Sequence, residues 1–152
     1  MRDLKNKINK LLKILKLKED FLRKQTFDLN KLYEEKNEIN KKLSLSKVEY
    51  LKGLSIVNAN RHSSNIFIEV YENGLTYAKN QWVELFKISQ VHEKKIEIQK
   101  QIVLSAKNKT EQIKFLIERY KLKMNLLVEK AEQNTLDEIS QRKYSLNKDV
   151  KL

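Results

Sequence analysis

Apolar residues recur along the first fifty positions at steps that alternate between three and four residues. The positions in this first seam are Leu4, Ile8, Leu11, Leu15, Lys18, Leu22, Gln25, Leu29, Leu32, Lys36, Ile39, Leu43, Ser46 and Tyr50. Ten of these fourteen positions are apolar. Alternating steps of three and four are the a/d pattern of a heptad repeat, so this segment is predicted to be an α-helix in a coiled coil.

A second seam with the same spacing begins near Ile68 and ends near Asn134. Its positions are Ile68, Tyr71, Leu75, Ala78, Trp82, Leu85, Ser89, His92, Ile96, Gln99, Val103, Ala106, Thr110, Ile113, Ile117, Tyr120, Met124, Leu127, Ala131 and Asn134. Fifteen of the twenty are apolar. Residues 53–64, between the seams, contain a glycine, two asparagines and a pair of serines, which is typical of a turn. A short connection makes neighbouring helices antiparallel.

The predicted fold is all-α: a long antiparallel two-helix coiled-coil hairpin with a C-terminal helical overhang, forming one domain over residues 1–152. The predicted segments are helix 1 at about 2–54, an apex loop at about 55–63, helix 2 at about 64–144 and a short tail at 145–152. With the apex near residue 59, Met1 would lie opposite residue 118.

The second seam continues beyond that point, and its last apolar positions would have no partner in the chain. These positions are Tyr120, Met124, Leu127 and Ala131. An apolar stripe on an unpaired helix indicates a binding surface. A frayed tail with accidental periodicity is the alternative.

The composition supports long helices and excludes several functions. Charged residues make up 34% of the chain, proline is absent and glycine occurs twice, so few turns are expected. The absence of cysteine excludes disulfides, thiolate metal sites and thiol catalysis. No apolar run approaches the ~18 residues of a transmembrane helix. The N-terminus alternates lysine with leucine and isoleucine, unlike a secretory signal. A cytoplasmic protein is therefore expected.

The net charge of +12 is unevenly distributed. Residues 1–24 carry nine basic and three acidic side chains, and residues 107–130 carry seven and three. Residues 48–74, around the predicted apex, carry two and three. An AT-rich genome would explain the excess of lysine, but it would spread lysine evenly. The polarity indicates an acidic partner at the open end of the hairpin and a different partner at the apex.

The sequence contains no arrangement of residues that indicates catalysis. His62 and His92 are the two histidines, and a zinc site needs three or four ligands. His62 falls in the predicted apex loop, and His92 is interpreted as a polar position of the second seam. Two isolated glycines do not make a phosphate-binding loop. No enzyme activity, cofactor or metal is expected.

Large side chains cluster around the predicted apex. Phe67 and Tyr71 are four residues apart and would share a helix face, and Tyr50 ends the first seam. Such aromatics either pack together to close the hairpin or anchor a partner.

Three other roles for the charged surface stay open. Residues 1–18 alternate basic with apolar side chains, as in a helix that lies on a membrane surface, although the first heptads of helix 1 explain the same pattern. The net charge fits nucleic acid, but no known nucleic-acid-binding signature is present. A coiled-coil adaptor that self-associates is the third possibility.

Two segments near the C-terminus resemble the flagellar FliJ family, the stalk proteins of the type III export ATPase. They are Leu116-Ile-Glu-Arg119 and the segment from Ala131 to Arg142, with the pair Asp137 and Glu138. Family members end their second helix with a similar leucine-x-glutamate-arginine step, and an aspartate-glutamate pair and an arginine follow. The architecture of a long helix, an apex and a longer helix is also similar. The injectisome stalk proteins are the close sibling.

The resemblance implies a non-catalytic stalk that couples a hexameric export ATPase to the export gate. The open end would enter the ATPase ring, the hairpin side would contact the cytoplasmic linker of the export-gate membrane protein, and export chaperones would be escorted. The implied ring contacts are Tyr120, Met124, Leu127, Ala131, Asp137, Glu138 and Arg142. The implied gate contacts are Tyr50, Phe67 and Tyr71.

Such a protein would be cytoplasmic, peripheral to the membrane-embedded export apparatus, and monomeric when free. No specific nucleic acid would be bound. The alternative function is a basic coiled-coil adaptor that binds nucleic acid or an anionic surface.

Overall fold

The chain folds as two long α-helices. The computed structural model describes residues 1–60 and 65–150, and it describes side chains for residues 1–60 and 68–147. Helix α1 is Arg2–Ala59 and helix α2 is Asn65–Val150. The predicted all-α two-helix hairpin is confirmed, with no strand in the part of the chain just given. Neither helix, over those same residues, has an apolar stretch that would cross a membrane.

The first seam forms one face of α1. All fourteen of its positions are buried or partly buried, including the polar positions Lys18, Gln25 and Lys36. This follows from helix geometry, because steps of three and four return to the same face of a helix with 3.6 residues per turn. The face predicted to pack is therefore the face that packs.

The first seam also continues past Tyr50, through Gly53, Val57 and Asn60, which are all partly buried. Helix α1 consequently ends at Ala59, five residues beyond the predicted end, and the expectation of a loop at 55–59 is wrong. Helix α2 extends to Val150, so residues 145–150, expected in a tail, are helical. His62 lies outside the described residues. The single domain stays a prediction.

The hairpin divides into two compact units. The terminal unit consists of Met1–Leu22 and Ala106–Leu152, and the apical unit is Arg23–Ser105. In the apical unit, the second seam is buried or partly buried at every predicted position except Tyr71, which is exposed. In the terminal unit it is so from Ala106 to Met124.

The core of the terminal unit is small and apolar. Ile8 of α1 and Ala106 and Ile117 of α2 are among its buried residues. Thr110 is also buried, and its hydroxyl donates a hydrogen bond of 2.8 Å to the carbonyl oxygen of Ala106. A buried hydroxyl with a local acceptor has no unmet hydrogen bond, so the seam accepts it at little cost.

Candidate partner-binding surfaces

Tyr120 lies inside the terminal unit rather than on an unpaired helix. It is partly buried, and the ammonium groups of Lys7 and Lys123 each lie 5.8 Å from the centre of its ring. Lys7 belongs to α1, so Tyr120 has a partner within the chain. Met124 is also partly buried. The expectation that Tyr120 and Met124 lack partners is therefore wrong.

The length of α1 explains this difference. Because α1 ends at Ala59 and α2 begins at Asn65, the turn comes later in the chain than the predicted apex at residue 59. Each residue of α1 in the terminal unit then faces a residue of α2 that comes later in the chain than the partner predicted for it. Met1 was expected opposite residue 118, but it lies in a groove beside Val128, Ala131 and Leu136.

The fully exposed part of α2 begins within this groove. Every described residue from 129 to 147 is exposed, and we call this segment the C-terminal extension. Ala131, Asp137, Glu138 and Arg142, four of the predicted ring contacts, lie on it. The predicted overhang is thus present but begins about ten residues later than expected.

One face of the C-terminal extension carries apolar side chains at intervals. Val128, Thr135, Ile139 and Leu146 are separated by steps of seven, four and seven residues, so they share a helix face that starts at the groove. The exposed residues Glu132 and Arg142 occupy the intervening positions of the same face, so it carries both charge signs between its apolar side chains. An exposed face that mixes apolar side chains with both charge signs suits packing against further protein.

Leu127 does not continue the second seam. It is 45% exposed, and Val128 occupies the partly buried position instead. The step from Met124 to Val128 is four residues, directly after the four from Tyr120 to Met124. Two successive steps of four interrupt the heptad repeat and locally unwind a coiled coil. A strict heptad prediction placed Leu127 in the seam because it did not include this step.

The aromatic pair of the apical unit joins its two helices. Tyr50 of α1 stacks on Trp82 of α2, with ring centres 5.8 Å apart and planes inclined by 19°. Both residues are partly buried. Tyr50, a predicted gate contact, is therefore held within the hairpin and closes it.

The other two predicted gate contacts are Tyr71 and Phe67, and the structure describes the side chain of Tyr71 alone. Tyr71 is exposed. The side chain of Phe67 lies outside the described residues. Val70, one of the large side chains near the predicted apex, is exposed, and sequence reasoning missed Tyr77, which is exposed seven residues later. The signal for Tyr77 was available, because it is an aromatic residue beside the seam rather than in it.

Polar side chains form a layer inside the apical unit. His92 is buried in the seam, as predicted, and its Nε2 lies 2.8 Å from the carbonyl oxygen of Leu32. A carbonyl accepts only, so Nε2 carries the hydrogen. The carboxylate of Glu35 is 3.6 Å from the same nitrogen. In the described residues, no buried side-chain nitrogen or oxygen lacks a hydrogen-bond partner.

A lysine on the surface of the apical unit has a perturbed pKa. A hydrogen bond to the Tyr33 side chain, with a smaller electrostatic contribution from the same residue, raises the pKa of Lys100 above its usual value. The ammonium group lies 5.8 Å from the centre of the Tyr33 ring. This contact joins α2 to α1 at the edge of the seam.

Comparison with protein families identifies the chain. The family described as Flagellar FliJ protein matches residues 6–149, which is nearly the whole chain. The chain belongs to the flagellar FliJ family. The match includes nearly all of both helices and the described side chains of the C-terminal extension. The resemblance is therefore not limited to the two C-terminal segments that first indicated the family. The protein is accordingly related to flagellar protein export.

No curated protein matches the chain, and no solved structure matches it.

Within residues 1–60 and 65–150, no group of three or more metal-binding side chains is arranged to hold an ion. The surfaces described above contain charged, apolar and aromatic side chains suited to binding other proteins. The candidate sites of this FliJ-family protein are therefore the C-terminal extension and the exposed side chains of the apical unit.

Proposed function

We propose that this protein is a non-catalytic stalk that couples a hexameric export ATPase to the export gate of the flagellar apparatus. The observation that carries the proposal is the C-terminal extension. It continues α2 past Met1 as an exposed helix, and its face of apolar and charged side chains begins in the groove at Met1. A helix of this kind has one side unpaired, and membership in the FliJ family supports a component of the export apparatus as its partner.

The extension would enter the centre of the ATPase ring. Leu127 and Ala131 are exposed near its start and would contact the ring with Asp137, Glu138 and Arg142. A ring with six subunits offers repeated surfaces, so a mixture of both charge signs allows ion pairs with several of them. The partly buried Tyr120 and Met124 would act indirectly, by holding α2 against α1 below the ring.

The apical unit would contact the cytoplasmic linker of the export-gate membrane protein. Tyr71 is the predicted gate contact with an exposed described side chain, and Phe67, four residues earlier, would share its face. Tyr50 would support this surface through its stacking on Trp82. Escort of export chaperones is part of the same proposal, as is a cytoplasmic location peripheral to the export apparatus and a monomeric free state.

The test is ATP turnover and hexamer formation by the export ATPase of the same organism, with and without this protein. The variant Leu136→Ser with Ile139→Ser removes apolar side chains from the extension. The matched control is Leu122→Ser with Leu126→Ser, since both leucines are exposed on the paired part of α2. We expect the intact protein and the control to stimulate turnover, and the extension variant to lose most of the stimulation.

Two results would contradict the proposal. One is an intact protein that neither binds the hexamer nor changes turnover. The other is equal loss of stimulation in both double variants, because contact would then not depend on the extension.

A further inference from the structure

The outer face of α1 in the terminal unit carries three large apolar side chains. Ile14, Leu17 and Phe21 follow one another at steps of three and four, so they share one helix face. They are 41%, 69% and 49% exposed, and none of them belongs to the seam. We call these three residues the α1 outer stripe.

Lysines border the α1 outer stripe. Lys10 lies four residues before Ile14 and Lys13 lies four before Leu17, so each is a neighbour of a stripe residue on the helix surface. Both lysines are exposed. Residues 1–22 carry seven basic and three acidic side chains. The stripe is therefore an apolar strip in a basic surface, and the lysine stems extend its apolar area.

The stripe is too short for a second coiled-coil seam. At the same spacing it is preceded by Lys7 and Lys10 and followed by Lys24 and Asp28, which are all polar. Two helical turns of apolar residues fall below the three or more heptads that indicate a coiled-coil partner. Phe21 is its single aromatic residue, whereas single-stranded nucleic acid is bound by several stacked aromatic platforms.

A lipid surface fits all of these features. Aliphatic side chains and a phenylalanine on a lysine-rich helix face are typical of helices at the boundary between headgroups and acyl chains. A bilayer has no fixed holes that a partner must match, so two turns of contact are sufficient. Anionic headgroups complement the charge of Lys10 and Lys13.

We propose that the terminal unit binds anionic lipid bilayers through the α1 outer stripe. Ile14, Leu17 and Phe21 insert at the level of the headgroups, and the two flanking lysines contact lipid phosphates. This inference goes beyond the stalk function and does not depend on it, because the stripe and the C-terminal extension share no residue.

Helix α2 provides a comparison surface in the same unit. Phe115, Leu122 and Leu126 are 57–63% exposed and lie outside the seam. Glu111 and Glu118 lie four residues before Phe115 and Leu122, and Arg119 and Lys123 border the same surface, so both charge signs flank it. Anionic lipid repels carboxylates, so this equally apolar surface of mixed charge is expected to bind it more weakly than the stripe.

The experiment is co-flotation of the full-length protein with phosphatidylcholine vesicles that contain about 30 mol% phosphatidylglycerol or none. The stripe variant is Ile14→Ser, Leu17→Ser and Phe21→Ser, and the control is Phe115→Ser, Leu122→Ser and Leu126→Ser. We expect binding to the anionic vesicles alone, about tenfold weaker binding by the stripe variant, and a change below about twofold in the control. Circular dichroism checks that each variant stays helical.

A second measurement detects insertion directly. Trp82 is the one tryptophan of the chain, so Phe21→Trp combined with Trp82→Phe places a single reporter in the stripe. Its emission should shift to shorter wavelength on anionic vesicles, because the indole leaves water.

Three results would overturn the proposal. The first is no binding of the intact protein to anionic vesicles. The second is equal weakening by the stripe variant and the α2 control. The third combines three observations: Lys10→Glu with Lys13→Glu loses vesicle binding, the stripe variant keeps it, and single-stranded DNA displaces the protein from vesicles. That result would identify a general polyanion-binding surface instead.

Discussion

Gln99 of α2 donates two hydrogen bonds to Gln25 of α1, one to the side-chain oxygen at 2.8 Å and one to the backbone carbonyl at 3.0 Å. Both residues are partly buried in the apical seam. A slip of one heptad would place Gln99 against Lys18 or Leu32 and would break the side-chain bond. A polar pair at such a position fixes the register of a coiled coil and lowers its stability.

Replacing this pair with apolar residues should raise the stability of the hairpin and make the register of its two helices less specific. We expect Gln25→Leu with Gln99→Leu to raise the free energy of unfolding by about 1 kcal/mol, measured by urea titration. The single change Gln99→Leu should lower it by about 1 kcal/mol, because the Gln25 amide loses its partner. Spin labels at Glu34→Cys and Lys94→Cys report the register, since the chain has no native cysteine. A single narrow label distance in the double variant would contradict a register role.

The stacked pair Tyr50 and Trp82 should contribute to the stability of the apical unit. Trp82→Ala removes a partly buried ring and its stacking on Tyr50, so we expect a loss of about 2 kcal/mol in the free energy of unfolding. Circular dichroism in urea measures it. Tyr77→Ala is the control, because Tyr77 is exposed on the same helix and should cost less than about 0.5 kcal/mol. Equal losses would show that the stacking adds nothing.

The two glycines should respond differently to alanine. Both lie inside helices, where glycine is unfavourable relative to alanine. A Cβ at Gly74 would have nothing within 4 Å, so Gly74→Ala should raise the free energy of unfolding by about 0.5–1 kcal/mol. A Cβ at Gly53 would lie 3.3 Å from the Leu75 side chain, which must move. Gly53→Ala should therefore gain less, and a larger gain than at Gly74 would contradict this packing.

The C-terminal extension should add little to the stability of the hairpin. Ending the chain after Leu136 removes exposed residues, so the midpoint of thermal unfolding should fall by less than about 2 °C. The helical signal should decrease in proportion to the residues removed. The truncated protein should also fail to stimulate the export ATPase if the proposed stalk function holds. A large fall in the midpoint would mean that the extension packs against the rest of the protein.

The raised pKa of Lys100 should depend on the Tyr33 hydroxyl. Tyr33→Phe removes the hydrogen bond, so the pKa of Lys100 should fall toward the usual lysine value, as measured by NMR titration of its side chain. A lysine pKa raised in the folded state favours folding below the unfolded pKa, and this contribution is lost as pH rises through the folded pKa. The linked change in stability is therefore confined to alkaline pH. Tyr77→Phe is the control and should leave Lys100 unchanged.

The sequence predicted the packing face better than it predicted the turn. Every position that the spacing of three and four assigned to the α1 seam is buried or partly buried, and even Lys18 and Gln25 obey it because position on the helix outweighs side-chain polarity. The same spacing continues through Gly53, Val57 and Asn60. A search for apolar residues passes over glycine and asparagine, and their usual preference for turns indicated an apex instead.

That one error changed the predicted site. Ending α1 early moved the predicted start of the unpaired helix to about residue 119 and left Tyr120 and Met124 without partners. Asp137, Glu138 and Arg142 lie on the overhang under either limit, and their contact with the ring stays a prediction. The exposure of Tyr71, in contrast, was not derivable from spacing, since the heptad pattern assigned it to the seam.

The two successive four-residue steps at Tyr120, Met124 and Val128 determine the angular phase of everything that follows. Helix α2 is continuous through this segment, so the direction of the Ile139 face is set by the number of residues that separate it from the paired part. Insertion of one residue after Val128 would turn that face by about 100°, and insertion of three or four residues would nearly restore it while shifting it along the axis. Seven or eleven residues would restore both the phase and the pattern of a coiled coil. The direction of the Ile139 face is thus fixed relative to the paired part of α2. Insertions or deletions in the C-terminal extension that keep its function are therefore expected to have the length of whole repeats.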